Sequence, residues 1–285
     1  RLEKINVKII LASISGFGQT GPYAQRPGFD QIAQGMGGLM SITGEPSRGP
    51  MRVGIPIADL TAGLFCALGI LTALIEREKS GQGQWLHTSL LQSQAFMLDF
   101  QAARWLMQSE VPSQVGNEHP TSVPTNRYIS QDGGVNIAVA GDETWKRLCN
   151  ALDRPDWADN DFYATNTKRA KWRDKLNAEI GDIIIGKTTD EWVKKLTEAG
   201  VPCGPIYTVS EMFDDPQVKH LSISQPLATK PFGHTNALGQ PVILERTPSK
   251  LSGSPPERGE HTLEILREIG IEGHKAEALK KDNII

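Results

Sequence analysis

The chain has 285 residues, 39% hydrophobic and 22% charged, with a formal net charge of −3. That composition fits a soluble globular protein with room for one large domain or two smaller ones. Near-neutral, interspersed charge excludes the basic footprint of a nucleic-acid binder and gives no reason to expect a membrane-surface or polyanionic partner.

The first residue is Arg1, and basic residues through Lys8 precede Ile9-Ile10-Leu11. This mimics a signal peptide, but the apolar run breaks at once into Ser13-Ile14-Ser15-Gly16, which argues against one. Val7 to Ser13 reads instead as a short buried strand. Ser15-Gly16-Phe17-Gly18 ends it, and Gln19-Thr20-Gly21-Pro22 continues as a loop. A helix is expected from about Phe29 to Met40, then a Pro- and Gly-rich loop from Thr43 to Pro56.

Asp59 stands at the start of the next expected helix, Leu60 to Lys79, which closes with a basic last turn and Gly81. Leu60–Ile75 is apolar on nearly every side. It is shorter than the ~18–20 residues of a membrane span, so a core helix buried all round is the expectation. A strand at Gln84–Thr88 and a helix from Ser89 to Met107 follow, and then a polar segment from Ser109 to Thr125. Arg127–Ile129 and Val135–Val139 flank Asp132-Gly133-Gly134, a tight-turn signal, and predict a hairpin. Three helices are expected next. Glu143–Leu152 places Trp145, Leu148, Cys149 and Leu152 on one face; Lys168–Ile185 follows; the third starts at Thr189-Asp190-Glu191-Trp192 and ends at Gly200. The tail, about Pro226 to Pro256, holds turns and a candidate strand at Pro241–Leu244. A final amphipathic helix is expected over Thr262–Ile269.

Cys66, Cys149 and Cys203 lie far apart with no metal-type spacing, which points to a reducing, cytoplasmic setting. Cys66 reads as a small core residue. His119, His220, His234 and His261 are scattered in polar segments and read as solvent-exposed. The glycines of the Ser15–Pro22 loop lack the Gly-Lys-Ser/Thr of a phosphate loop. That loop reads as a turn or as the lining of a ligand crevice at a strand's carboxyl end. Ser13 and Ser15 lack a nucleophile-elbow context. Asp214-Asp215-Pro216 reads as a helix-ending turn.

Asp59 has two readings. Its oxygens can cap the first turn of a buried helix. Alternatively, first-turn amides and the helix dipole hold an ionised carboxylate ready to attack an activated acyl group.

Six segments taken together resemble the family III CoA-transferases, the superfamily of formyl-CoA transferase, carnitine CoA-transferase and α-methylacyl-CoA racemase. They are Ser13 to Pro22, Ile55 to Gly63 with Asp59, Lys79 to Gln84, Gly116 to Pro120, Ala199 to Pro205, and Gly259 to Thr262, in the family's order. The resemblance implies transfer of CoA from an acyl-CoA donor to a free carboxylic acid through a covalent intermediate on Asp59. It implies that Ser15, Gly16 and Phe17 line the thioester pocket. Gly116 and Asn117 would belong to a loop that shields the intermediates, stiffer here because it carries a single glycine. CoA esters enter as substrates, with no tightly bound cofactor and no metal. The racemase branch carries a His where this chain has Phe29, which cannot accept a proton. Racemization, or non-catalytic binding of CoA esters, remains the alternative.

The fold the resemblance implies is α/β: an incomplete Rossmann-like large domain lacking its N-terminal part, with a smaller α+β domain, in an interlocked homodimer. The boundaries expected are 1–115 for the large domain, 122–212 for the small one, and 226–285 for the return to the large domain.

Overall fold

The computed structural model describes residues 2–230, 232–251 and 253–285. Arg1 of the basic start, and Pro231 and Ser252 of the predicted tail, lie outside the described residues. The chain forms two compact units, 1–206 and 207–285.

The first unit opens on β1 (Leu11–Ser15), which pairs in parallel with β2 (Trp85–Ser89) from Leu11↔Trp85 to Ser15↔Ser89. β1 starts four residues later than the hydrophobic run suggests. Its extent is set by its partner, and Val7 lies outside the ladder and exposed. Gly83 N–H donates to the Val7 carbonyl, and a Cβ at Gly83 would lie 1.9 Å from the Ile9 oxygen. Only glycine lets the chain pass that close to the entry of β1.

Between the strands come α1 (Asp30–Met36), α2 (Leu39–Ile42) and α3 (Ile57–Ser80). The single helix expected over Phe29–Met40 is broken because Gly38 adopts φ +82° between α1 and α2. α3 ends where the sequence places its stop, with Gly81 left-handed at φ +74°. α4 (Leu90–Phe96) and α5 (Phe100–Gln108) replace the continuous helix expected from Ser89 to Met107. The break falls at Asp99, whose φ of 49° is left-handed. Ser89 caps α4 by accepting from Gln92 N–H.

Two expectations for α3 fail. It has 24 residues, and by length and composition it is long and apolar enough to cross a membrane. It is also not buried all round. Ala58, Thr61, Ala62, Cys66 and Ala73 face inward onto α1, α4, β1 and β2, while Leu60, Leu64, Leu68, Leu71 and Ile75 are exposed. The inner face carries the small residues, so close packing on the strands is achieved there with little side-chain volume, and the leucines point outward.

The largest core lies within residues 123–201. β3 (Thr125–Ile129) and β4 (Gly134–Ala138) form the expected hairpin, and β5 (Cys203–Pro205) extends it antiparallel on β4. Against it pack α8 (Arg173–Ile184) and α9 (Thr189–Glu198), with α6 (Gly141–Ala151) against α9 and α7 (Asn166–Lys171) against α8. Trp145, Leu148, Cys149 and Leu152 are all buried, as their spacing predicts. Trp145, Trp157 and Tyr163 stack and meet edge to face at 5.8–6.4 Å. Burial pushes the Cys149 thiol up to about 12, so it stays protonated. The cap of α9 is Thr188, one residue before the predicted start, and its hydroxyl and the Glu191 carboxylate form a reciprocal box. The helix expected over Lys168–Ile185 breaks at Trp172, which joins α7 to α8.

The second unit holds α10 (Val209–Asp214), α11 (Pro216–His220), the antiparallel pair β6 (Ser224–Thr229) and β7 (Gly233–Leu238), α12 (Thr262–Glu268) and α13 (His274–Lys281). Asp215 ends one helix and caps the next, accepting from Gln217 N–H at 2.8 Å and Val218 N–H at 3.1 Å. Pro241–Leu244 is not a strand, and the strands of the tail form upstream of it.

Candidate active site

Asp59 is the third residue of α3, not its cap, and its side chain is exposed. The position before the helix is Pro56, which has no capping side chain. Asp30, at the start of α1, does the capping. It is 8% exposed, and its Oδ1 accepts the Ala58 N–H at 2.8 Å. Within the first turn, Ile57 N–H goes to the Ile55 carbonyl and Leu60 N–H to that of Pro56. Among the described residues the Asp59 N–H has no acceptor, and the Asp59 carboxylate has no hydrogen-bond partner. One donor therefore remains beside the carboxylate where the sequence suggests several. An exposed carboxylate beside an unused helix amide leaves both groups accessible to a molecule from outside the fold.

The Ser15-Gly16-Phe17 loop lies next to the entry of α1. Ser15 Oγ accepts from Gly18 N–H at 3.0 Å, and the Gly16 carbonyl accepts from Leu91 N–H at the start of α4. Gly16 passes directly against Gly28: a Cβ built on Gly28 would lie 2.7 Å from Gly16 Cα and 3.3 Å from the Phe17 ring. This glycine pair joins the loop at the end of β1 to the residues that lead into Asp30. Gly28→Ala is expected to overpack that contact and to destabilize the protein by about 1–3 kcal/mol, read as a lower denaturation midpoint.

Gly116 and Asn117 occupy a different neighbourhood. Gly116 N–H donates to Gly44, and a Cβ there would lie 2.7 Å from Glu45 Oε2. The next residues are tied down. Glu118 pairs with Arg173 at 3.0 Å and accepts from Asn177 at 2.8 Å. His119, which the sequence suggests is a surface residue, is half-buried; it stacks on Phe100 at 5.7 Å, and its Nδ1 accepts the Ser122 N–H. Asn117, Glu45, Arg104, Gln114, Glu118 and Arg173 line a cleft of about 560 Å³. No hydrogen bond, ion pair or ring contact among the described residues joins this cleft to Asp59. Nor do three His, Cys, Asp or Glu side chains among them come together as a metal site.

Sequence reasoning missed Asp30 and Gln34. The available signal was an acidic residue and a glutamine four apart at the opening of one helix, together with a second helix whose cap position is a proline.

Fold and site together define an α/β protein that presents an exposed carboxylate at the amino end of a long helix packed on parallel strands. The chain belongs to the CoA-transferase family III, whose model matches residues 1–262. It is 38% identical over 273 residues to a succinate–glutarate CoA-transferase of Agrobacterium fabrum, covering 94% of this chain and 67% of that protein. It is 32% identical over 268 residues to the human succinyl-CoA:glutarate CoA-transferase, covering 94% of this chain and 61% of that one. The chain thus spans roughly two thirds or less of the length of these relatives. A crystal structure of a CAIB/BAIF family protein from Brucella suis superposes with a TM-score of 0.80 at 35% identity, covering 94% of this chain and 70% of that one. A Mycobacterium tuberculosis structure at 22% identity shares the fold, with a TM-score of 0.81.

Proposed function

We propose that the protein transfers CoA from an acyl-CoA to a free carboxylic acid through covalent intermediates on Asp59. The carrying observation is the exposed Asp59 carboxylate, without a hydrogen-bond partner of its own among the described residues, beside an unused first-turn N–H.

In this reading an Asp59 oxygen attacks the thioester carbonyl and expels CoA thiolate, leaving a mixed anhydride. The thiolate attacks the Asp59 carbonyl, releasing the donor acid and leaving an aspartyl-CoA thioester. The acceptor carboxylate then attacks that thioester and expels the thiolate again. The thiolate finally takes the acceptor's acyl group, and Asp59 returns as a carboxylate. Each step exchanges one acyl bond for another, so no net proton or electron is needed. The Asp59 N–H supports the oxyanion of the tetrahedral states. Ser15, Gly16 and Phe17 line the thioester side, and Gly116 and Asn117 belong to the wall that limits water.

The relatives' names support dicarboxylates as the acid class, with succinyl-CoA as donor and a five-carbon diacid such as glutarate as acceptor. Phe29, 76% exposed just before Asp30, offers no proton acceptor, which weighs against α-proton exchange. The exposed leucine face of α3, in this reading, is a protein-facing surface within a cytoplasmic homodimer rather than a membrane span. The division into a large domain over 1–115 and a small one over 122–212 belongs to the same proposal.

The test is an exchange assay. Succinyl-CoA is incubated with a panel of dicarboxylic and hydroxy acids, and new CoA esters are read by mass spectrometry. Formation of glutaryl-CoA with stoichiometric release of succinate is the expected result. Deuterium uptake at the α-carbon with no acceptor present, and no transfer, would overturn it in favour of racemization.

A further inference from the structure

The segment that leads into Asp59 is held by side chains from another helix. Gln34 is fully buried and lies one turn beyond Asp30 on α1. Its Nε2 donates to Asp30 Oδ2 at 2.7 Å, and its Oε1 accepts the Val53 N–H at 2.9 Å. Nε2 also reaches the Ile55 carbonyl at 3.3 Å. Asp30 Oδ1 holds Ala58 N–H. One carboxylate and one amide therefore grip Val53, Ile55 and Ala58, and Asp59 is the next residue.

We infer that Asp30 and Gln34 act as a positioning pair that fixes the Asp59 carboxylate for attack. This rests on the reading of Asp59 as nucleophile. The segment Val53–Pro56 has no regular structure of its own, and α3 has no cap of its own. Ala33 of α1 packs with Ala58 and Ala62 of α3 in a small buried cluster, and the bracket adds the polar ties that hold the segment leading into the first turn. Nucleophilic attack is sensitive to displacements of about 1 Å, so the bracket is expected to show in kcat more than in KM for the acyl-CoA.

The polarity of the pair gives a specific test. In Asp30→Asn the new amide faces the Gln34 amide. Any orientation of the two leaves two donors opposed, either between the side chains or at Val53 or Ala58. In Gln34→Glu two carboxylates face each other. In the double variant D30N/Q34E the pattern is restored. The amide introduced at position 30 accepts from Ala58 N–H and donates to the carboxylate introduced at position 34. That carboxylate in turn accepts from Val53 N–H. The longer contact to Ile55 is lost, because a carboxylate oxygen then faces that carbonyl, so the restoration is large but incomplete.

Steady-state transfer is measured for the protein, both single variants, the double variant and Asp59→Asn, with melting temperatures alongside. Each single variant is expected to lose about 10- to 100-fold in kcat with KM for the acyl-CoA within about twofold, and the double variant is expected to recover most of the loss. If a single variant does not fold, the double variant is compared directly with the parent. The inference is overturned if a folded single variant keeps the parent's kcat, or if the double variant regains the melting temperature without regaining kcat. Asp59→Asn separates the two claims. If it keeps turnover, the nucleophile reading falls; if it is inactive while Asp30→Asn keeps the parent's kcat, only the positioning pair falls.

Discussion

Asp59→Asn is expected to lower CoA transfer by about four orders of magnitude or more, as loss of an enzymic nucleophile does, while leaving the fold in place. The two halves of that result have separate causes. Asparagine matches the shape of aspartate but lacks the anionic oxygen that attacks the thioester. Asp59 caps nothing, because the Ala58 N–H belongs to Asp30. Its side chain is exposed and holds no hydrogen bond among the described residues, so its replacement behaves as a surface substitution in thermal denaturation. A cap would give the opposite pair of results: a lower melting temperature and intact turnover. Hydroxylamine added during turnover should label Asp59 in the parent protein and nothing in the variant. Turnover unchanged in Asp59→Asn would remove the proposed mechanism.

The structure therefore separates two roles that a carboxylate near a helix start can hold. It gives the cap to Asp30 and leaves Asp59 free of that duty. Sequence alone left both on Asp59. The reason is range. A cap is normally sought within one or two residues of the helix, and here it arrives from 28 residues upstream. The same limit explains the Gly16–Gly28 contact, which no local pattern reveals. It also explains the late start of β1, which only its pairing with β2 defines.

Features whose determinants are local were legible. The β3–β4 hairpin follows from alternation around Asp132-Gly133-Gly134. The inward face of α6 follows from the spacing of Trp145, Leu148, Cys149 and Leu152. The end of α3 follows from Gly81. The α3 surface shows where composition misleads. A helix apolar all round reads as buried all round, yet Ala58, Ala62 and Ala73 are buried while Leu60, Leu64, Leu68 and Leu71 are exposed. Apolarity limits where a face can go, but the size of the inner residues decided which face packed here.

Arg169→Met is expected to destabilize the 123–201 core by about 2–5 kcal/mol, read as a lower urea midpoint with the slope unchanged. The Arg169 side chain is 1% exposed. Its Nε donates to the Val123 carbonyl at 2.6 Å and its Nη1 to the Tyr163 carbonyl at 3.0 Å. It approaches Asp142 to 3.6 Å and lies 4.9 Å from the centre of the Trp145 ring. Burial lowers its tendency to hold the proton, and the Asp142 carboxylate opposes that. Methionine fills part of the aliphatic volume but leaves two buried carbonyls without donors, and that loss dominates. Arg169→Lys should recover little of it. A single ammonium on a flexible stem does not span two carbonyls that the planar fork reaches together. Both carbonyls belong to segments that pack on α6 and α8, so the damage should spread through the aromatic cluster and quench the near-UV signal of Trp145 and Trp157. Arg169 makes no contact with Asp59 or the Gly16 loop among the described residues, so the fraction that stays folded should turn over at close to the parent's rate. A variant that kept its stability and lost its turnover would place Arg169 in the chemistry instead of the core.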